Sequence, residues 1–238
     1  MRTSYRRWTK HPYPGEQIPP KGSPKAGYWP MFFISRGRDN DFLDPFQQRI
    51  NWRIKNPNDI DWGTELFIVE QTLKSLTSQQ IHLARYWGAV EITERITPII
   101  FNLIKKYRPG SPKAARVLGY FHAAINDAFV MAWFFKYLWD VARPNQYGRN
   151  LSTVLSTPRF PSYPSAHATA AGCAEAVLSY FFPPELPRIK KVMEECARSR
   201  LYAGVHFKVD NDEGLRLGRQ IGEVVVNLLK VQNLHTFQ

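Results

Sequence analysis

From Gly63 onward the apolar residues recur at helical spacing, and this periodicity constrains the fold more than any other feature of the chain. Leu66, Ile68, Val69, Leu73 and Leu76 form one stripe. Ile81, Leu83, Tyr86, Val90, Ile92, Ile96, Ile99 and Leu103 continue it, which predicts two helices or one broken one. A loop follows at Arg108-Pro109-Gly110-Ser111-Pro112. A long helix is expected from Ala114 to about Ala142, ended by Pro144. Pro158, Pro161 and Pro164 stiffen the loop from Asn145 to Tyr163. Beyond it a helix should run from about Ala166 to Phe181, where Pro183-Pro184 stops it. Helices over about Pro187 to Tyr202 and Asn211 to Val231 complete the set, the last with Asp210 and Glu213 spaced as a capping box. No strand pair or internal repeat stands out. The expected fold class is an all-α helical bundle of one domain over residues 63–238.

Residues 1–62 read differently. Eight prolines from Pro12 to Pro57, several glycines and little periodicity predict an extended Pro-rich N-terminal arm. Trp29, Phe32, Phe33 and Phe42 are its expected anchors, either on the following domain or on a neighbouring subunit, so a homodimer is a partner to test. Arg6-Arg7 is followed by prolines and polar groups instead of an apolar segment, so no targeting segment is expected. The longest apolar run, Ala128 to Phe135, is well short of the roughly 18 residues that span a bilayer. A soluble, cytoplasmic protein without a membrane span is expected. Cys173 and Cys196, both in helical stretches, read as reduced core thiols.

A formal charge of +12 favours anionic ligands. Its cations are spread through the chain instead of gathered in an arm of nucleic-acid type, and no nucleic-acid partner is expected. Three segments concentrate the chemistry. The first holds Lys136 and Arg143-Pro144, the second Pro164-Ser165-Ala166-His167, the third Ser199-Arg200, His206 and Asp210. They supply three cations, a hydroxyl and two imidazoles, an inventory suited to a tetrahedral or bipyramidal oxyanion. If the long helix reaches Arg143, then Trp133, Lys136, Asp140 and Arg143 share a face, which taken alone favours a solvated cationic surface over a site. Ser165 stands where a helix N-cap is expected, with His167 in the first turn and free amides ahead of it. Gly204 should break the helix between Arg200 and His206. Asp210 either accepts the second ring N–H of His206 or caps the last helix. His11, His82, His122 and His235 have no metal-ligand spacing, and there is no phosphate-cradling Gly-rich motif.

In order and internal spacing these segments resemble the signature shared by type 2 phosphatidic acid phosphatases, bacterial class A acid phosphatases and vanadium-dependent haloperoxidases. The resemblance covers roughly residues 115–225, and its flanking stretches look most like the soluble bacterial haloperoxidase branch. It implies that Lys136, Arg143, Ser165 and Arg200, with the Ala166 amide, hold the oxygens of vanadate or phosphate. It further implies that His206 is the axial ligand or nucleophile, so that vanadium as vanadate sits on His206, and that His167 is the acid or base. Trp133 and Phe160 fall where that family lines a halide pocket, though both also read as core. Ala166 stands where the family usually has Gly.

Three functions follow as expectations. The first is a vanadium-dependent haloperoxidase acting on hydrogen peroxide and halide. The second is a soluble acid phosphatase acting on a phosphate ester through a phosphohistidine at His206. The third is an inactive phosphate- or vanadate-binding protein.

Overall fold

A computed structural model describes residues 5–38, 41–148 and 151–233. Among them are seven α-helices: α1 (Trp62–Lys74), α2 (Ser78–Gly88), α3 (Ile92–Tyr107), α4 (Ser111–Trp139), α5 (Ala166–Phe181), α6 (Leu186–Tyr202) and α7 (Lys208–Val231). The all-α bundle is as expected. The first periodic stretch resolves into three helices, because Asp61 and Thr77 each cap a new N-terminus with a side-chain oxygen. One short antiparallel pair, β1 (Ser35–Arg36) with β2 (Phe42–Leu43), lies in the arm and was too brief to leave an alternating pattern.

Helices α4, α5 and α7 form the centre of the bundle. Phe121, Ala128, Met131, Ala170, Val177, Leu217, Ile221 and Val225 are buried together there. Small residues let α7 press against α5. A Cβ at Gly218 would stand 2.0 Å from the Thr169 carbonyl oxygen, and one at Gly214 would stand 2.7 Å from that of Ser165. This close approach brings the start of α7, with Asp210, against the start of α5, where the Ser165 amide donates to the Asp210 carbonyl at 2.9 Å. Cys173 and Cys196 are free and buried.

Two helix ends correct the sequence reading, and both bear on the site. Helix α4 stops at Trp139, not near Ala142, because Asp140 turns left-handed (φ 54°) and Arg143 is extended (φ −75°, ψ 157°). Lys136 and Arg143 therefore do not share a helical face. The Asp140 side chain turns away from them to accept from the Thr9 hydroxyl and amide. Helix α7 begins at Lys208, not Asn211, so Asp210 lies in its first turn and accepts the Phe207 amide. Glu213 forms no box with it and instead accepts the Lys55 amide at 3.1 Å.

The arm wraps its own bundle. Residues 6–8 pair with residues 140–142: the Trp8 amide donates to Asp140 at 2.7 Å and the Ala142 amide to Arg6 at 2.8 Å. Trp8, Tyr13, Ile34 and Phe42 are buried. Phe33 stacks on Tyr120, whereas Trp29 and Phe32, expected as anchors, are exposed. The amides of Phe32 and Phe33 are held instead by the buried Asp127 carboxylate, at 2.8 and 2.7 Å. Among the described residues no helix is long and apolar enough to cross a membrane.

Candidate functional site

Of the side chains singled out from the three segments, Lys136, Arg143, Ser165, His167, Arg200, His206 and Asp210 converge at one end of α4, α5, α6 and α7, whereas Asp140 turns away and the Ser199 hydroxyl donates to the Cys196 carbonyl at 2.6 Å. Lys136 comes from the last turn of α4. Arg143 comes from the strand-like stretch after it, Ser165, Ala166 and His167 from the start of α5, and Arg200 from the last turn of α6. Helix α6 ends at Tyr202, and Gly204 (φ +74°) turns the chain so that His206 points back towards Arg143.

His206 is the centre. Its Nδ1 lies 2.8 Å from Asp210 Oδ2, and Arg143 Nη1 lies 2.9 Å from its Nε2. A guanidinium only donates, so Nε2 is the acceptor and Nδ1 carries the proton that Asp210 receives. Asp210 Oδ2 also accepts the Phe207 amide at 3.0 Å and the Ser162 hydroxyl. Burial pushes the Asp210 carboxyl up to about 7, while the Ser162 hydrogen bond, Lys136 and Arg143 act against that shift. Burial, then the charges of Arg143, Lys136 and Arg200, hold His206 well below the usual imidazole value. It is a neutral ring with one lone pair aimed into the site.

The cations surround it. Lys136 Nζ donates to the carbonyls of Pro161 and Ser162 at 2.8 and 2.7 Å, leaving one of its three N–H bonds. Arg143 Nε donates to Phe160 O at 2.9 Å and Nη1 to Val205 O at 2.8 Å, whereas Nη2 is buried without a partner. Arg200 Nε and Nη1 are likewise buried and unpartnered. Burial lowers the pKa of all three, that of Arg143 to about 10, and the charges of Arg143 and Arg200 add to the effect on Lys136.

His167 is held by a hydrogen bond to the Trp87 backbone, and its Nε2 has no partner. Burial, then Arg200, keeps it well below the usual imidazole value. The Ser165 side chain accepts the Ala168 amide at 3.4 Å as a helix cap, and the amides of Ala166 and His167 lie in the first turn, where no intrahelical acceptor exists. Ala166 is the first helical residue and its φ is not positive, so the methyl group asks no glycine-like conformation of the backbone. Trp133 and Phe160 also meet, with ring centroids 4.7 Å apart. The Phe160 ring lies 4.9 Å from Arg143 Cζ and 5.3 Å from Lys136 Nζ.

Three buried cations face one carboxylate, and their free N–H bonds converge from different elements. Such an arrangement is costly alone and is relieved by a multiply charged oxyanion. The residues present thus fit vanadate or phosphate. Sequence reasoning missed Ser162, which ties Asp210 to the segment that also holds Lys136. It missed Trp87 and Tyr13 as well, whose roles arise from contacts distant in sequence. The buried Tyr13 hydroxyl, which accepts from Trp8 Nε1 and donates to Pro158 O, places an arm residue beside Arg143.

Comparison with known proteins bears on the fold. The family described as the VCPO second helical-bundle domain matches residues 184–233, which span α6 and α7. No curated protein matches the chain in sequence. Among solved structures, the first bacterial vanadium-dependent iodoperoxidase is 25% identical with a TM-score of 0.61, over 74% of this chain and 52% of that one. A holo-type bacterial vanadium-dependent chloroperoxidase is 16% identical with a TM-score of 0.66, over 87% of this chain and 55% of that one. A transmembrane PAP2-type phosphatidylglycerolphosphate phosphatase from Bacillus subtilis is 15% identical with a TM-score of 0.56, over 74% of this chain and 89% of that one. The chain spans little more than half the length of these two haloperoxidases.

Proposed function

We propose that this chain, which belongs to the superfamily of vanadium haloperoxidases and type 2 phosphatidic acid phosphatases, oxidises halide with hydrogen peroxide on vanadate bound at His206. The observation that carries the proposal is the commitment of the His206 nitrogens. Nδ1–H is given to Asp210, and the Nε2 lone pair faces three buried cations with free N–H bonds.

Arg143 Nη2, Arg200 Nε and Nη1, the remaining Lys136 N–H and the first-turn amides of α5 would hold the oxygens of the anion. His206 Nε2 would be the ligand once Arg143 turns its Nη1 towards the anion, and Asp210 keeps that nitrogen electron-rich. Bound vanadate would supply a Lewis acid that activates peroxide without changing its own oxidation state. His167 Nε2, kept neutral by burial, would take the proton of incoming peroxide and return it to the departing oxygen. Lys136 would neutralise charge that develops on the reacting oxygens. Trp133 and Phe160 favour the haloperoxidase reading, since together they offer a partly apolar wall beside the cations where a weakly hydrated halide could approach.

A second reading rests on the same site, since the His206 Nε2 lone pair beside three buried cations and the unpartnered His167 Nε2 suit attack on phosphorus as well as ligation of vanadate. There His206 Nε2 would attack phosphorus, the P–O bond to the alcohol would break, and His167, having taken up a proton once the bound dianion offsets the neighbouring cations, would protonate the leaving oxygen. Water would then release phosphate from His206. Dye halogenation by vanadate-loaded protein, run beside aryl phosphate hydrolysis by metal-free protein, separates the two. Halogenation that requires vanadate and is suppressed by phosphate supports the proposal. Hydrolysis inhibited by vanadate, without halogenation, replaces it with the second reading. Silence in both leaves an oxyanion-binding protein.

A further inference from the structure

The arm segment from Gln17 to Arg38 contains four cations and no Asp or Glu. It runs back along α4. Gly22 lies beside the Tyr137 hydroxyl, Gly27 sits on the Phe134 backbone, the Phe32 and Phe33 amides are held by Asp127, and the Phe33 ring stacks on Tyr120. From Tyr137 to Tyr120 this is about 25 Å of helix.

Along this strap large apolar side chains face outward: Tyr28 is 62% exposed, Trp29 58% and Phe32 70%. They are not the ends of a loose tail. The Tyr28 ring packs edge-on against Phe134 and is covered by the Arg36 guanidinium, while the Asp127 carboxylate fixes the backbone at Phe32. A rigid backbone that holds aromatic rings in water gives up burial that a few rotated dihedrals could recover, which marks an interaction surface.

We propose that this face docks on an anionic lipid surface. Tyr28, Trp29 and Phe32 would enter the headgroup region, and the exposed Lys21, Lys25 and Arg38 would meet lipid phosphates. Aromatic insertion combined with a cationic rim is the pairing needed for reversible attachment, since either alone is weak. Charge disfavours a second copy of the same face, because two acid-free straps would meet on molecules that each carry +12. Ile18, 74% exposed, and the prolines at 19, 20, 24 and 30 suit a lipid boundary better than stacked nucleic-acid bases, to which they offer neither an aromatic plane nor a donor.

The test is co-sedimentation of the full chain with phosphatidylglycerol/phosphatidylcholine vesicles and with phosphatidylcholine vesicles alone. Salt-sensitive binding to the anionic vesicles is expected. It should weaken at least tenfold in Trp29→Ser/Phe32→Ser and in Lys21→Glu/Lys25→Glu, with melting temperature and far-ultraviolet dichroism unchanged. The charge-reversal pair alters only exposed positions and serves if the aromatic pair folds poorly. Three results would each overturn the proposal: wild-type protein left in the supernatant, variants that bind as wild type, or a single-stranded oligonucleotide that holds the face against excess vesicles. Self-association that is lost in Trp29→Ser/Phe32→Ser, without vesicle binding, would assign the face to a second copy and also overturn it.

Discussion

Arg143 Nη1 lies 2.9 Å from His206 Nε2, so the guanidinium occupies the lone pair that an oxyanion's central atom would need. The same guanidinium is pinned by carbonyls of Phe160 and Val205, from two different loops, and keeps Nη2 free. Arg143 is therefore both a clamp between loops and a placeholder at the nitrogen proposed as the ligand.

Arg143→Lys tests this double role. A lysine keeps the charge but cannot reach both carbonyls and the anion at once. Unfolding free energy should fall by about 1–3 kcal/mol for the buried carbonyls left without donors. Calorimetric affinity for phosphate should fall at least tenfold. A variant equal to wild type in both would remove Arg143 from the site.

Asp210→Asn should act through the imidazole. The amide can offer its N–H to Nδ1, which would place the ring proton on Nε2 and aim it at the site. Activity in whichever assay proves positive should fall by roughly 10–100-fold or more, with phosphate affinity changed less. Burial of the wild-type Asp210 carboxyl raises its pKa to about 7. Its ionisation should therefore shape the acid limb of the wild-type pH profile, and Asp210→Asn should lose that limb.

Anion binding should take up protons. In the free protein His167, His206 and Lys136 are all held below their usual values, by burial first and by neighbouring cations next. A dianion cancels the cationic repulsion, raises all three pKa values and favours protonated Asp210 as well. Every contribution has the same sign. Sulfate, whose charge is constant near neutrality, should bind more tightly as pH falls. Titration in two buffers of different ionisation enthalpy measures the uptake directly, and net proton release would contradict the electrostatic description.

The arm should behave as part of the bundle. Trp8 is fully buried, and residues 6–8 pair with the stretch that leads into Arg143. Trp8→Ala should cost about 3–5 kcal/mol of unfolding free energy and weaken phosphate binding at the same time. Chemical denaturation with and without phosphate reads both effects. Lost stability with unchanged phosphate affinity would separate the arm from the site.

Much of this site is legible in the sequence because its chemistry lies in short segments. The spacing of Ser165 to His167, and of Arg200 to Asp210, fixes which groups share a helix start or a turn. Gly204 announces the reversal that lets His206 face Arg143. The end of α4 was not legible. Asp140 tolerates a left-handed conformation, but its selection depends on Trp8 and Thr9, 132 and 131 residues away, which satisfy its carbonyl and carboxylate. Arg143 reaches the site by leaving the helix rather than by continuing it. The arm's path was equally hidden. No period guides it, and Asp127, the residue just before the apolar run from Ala128 to Phe135, holds it. Ser162 escaped for the same reason, since its partner Asp210 is 48 residues away.

The most direct test is a crystal structure of the protein grown with orthovanadate. The account predicts vanadium bonded to His206 Nε2, Arg143 Nη1 withdrawn from that nitrogen, and the Arg143 and Arg200 guanidiniums donating to vanadate oxygens. Vanadate bound elsewhere, or none at saturating concentration with the Arg143 to His206 contact intact, would contradict it.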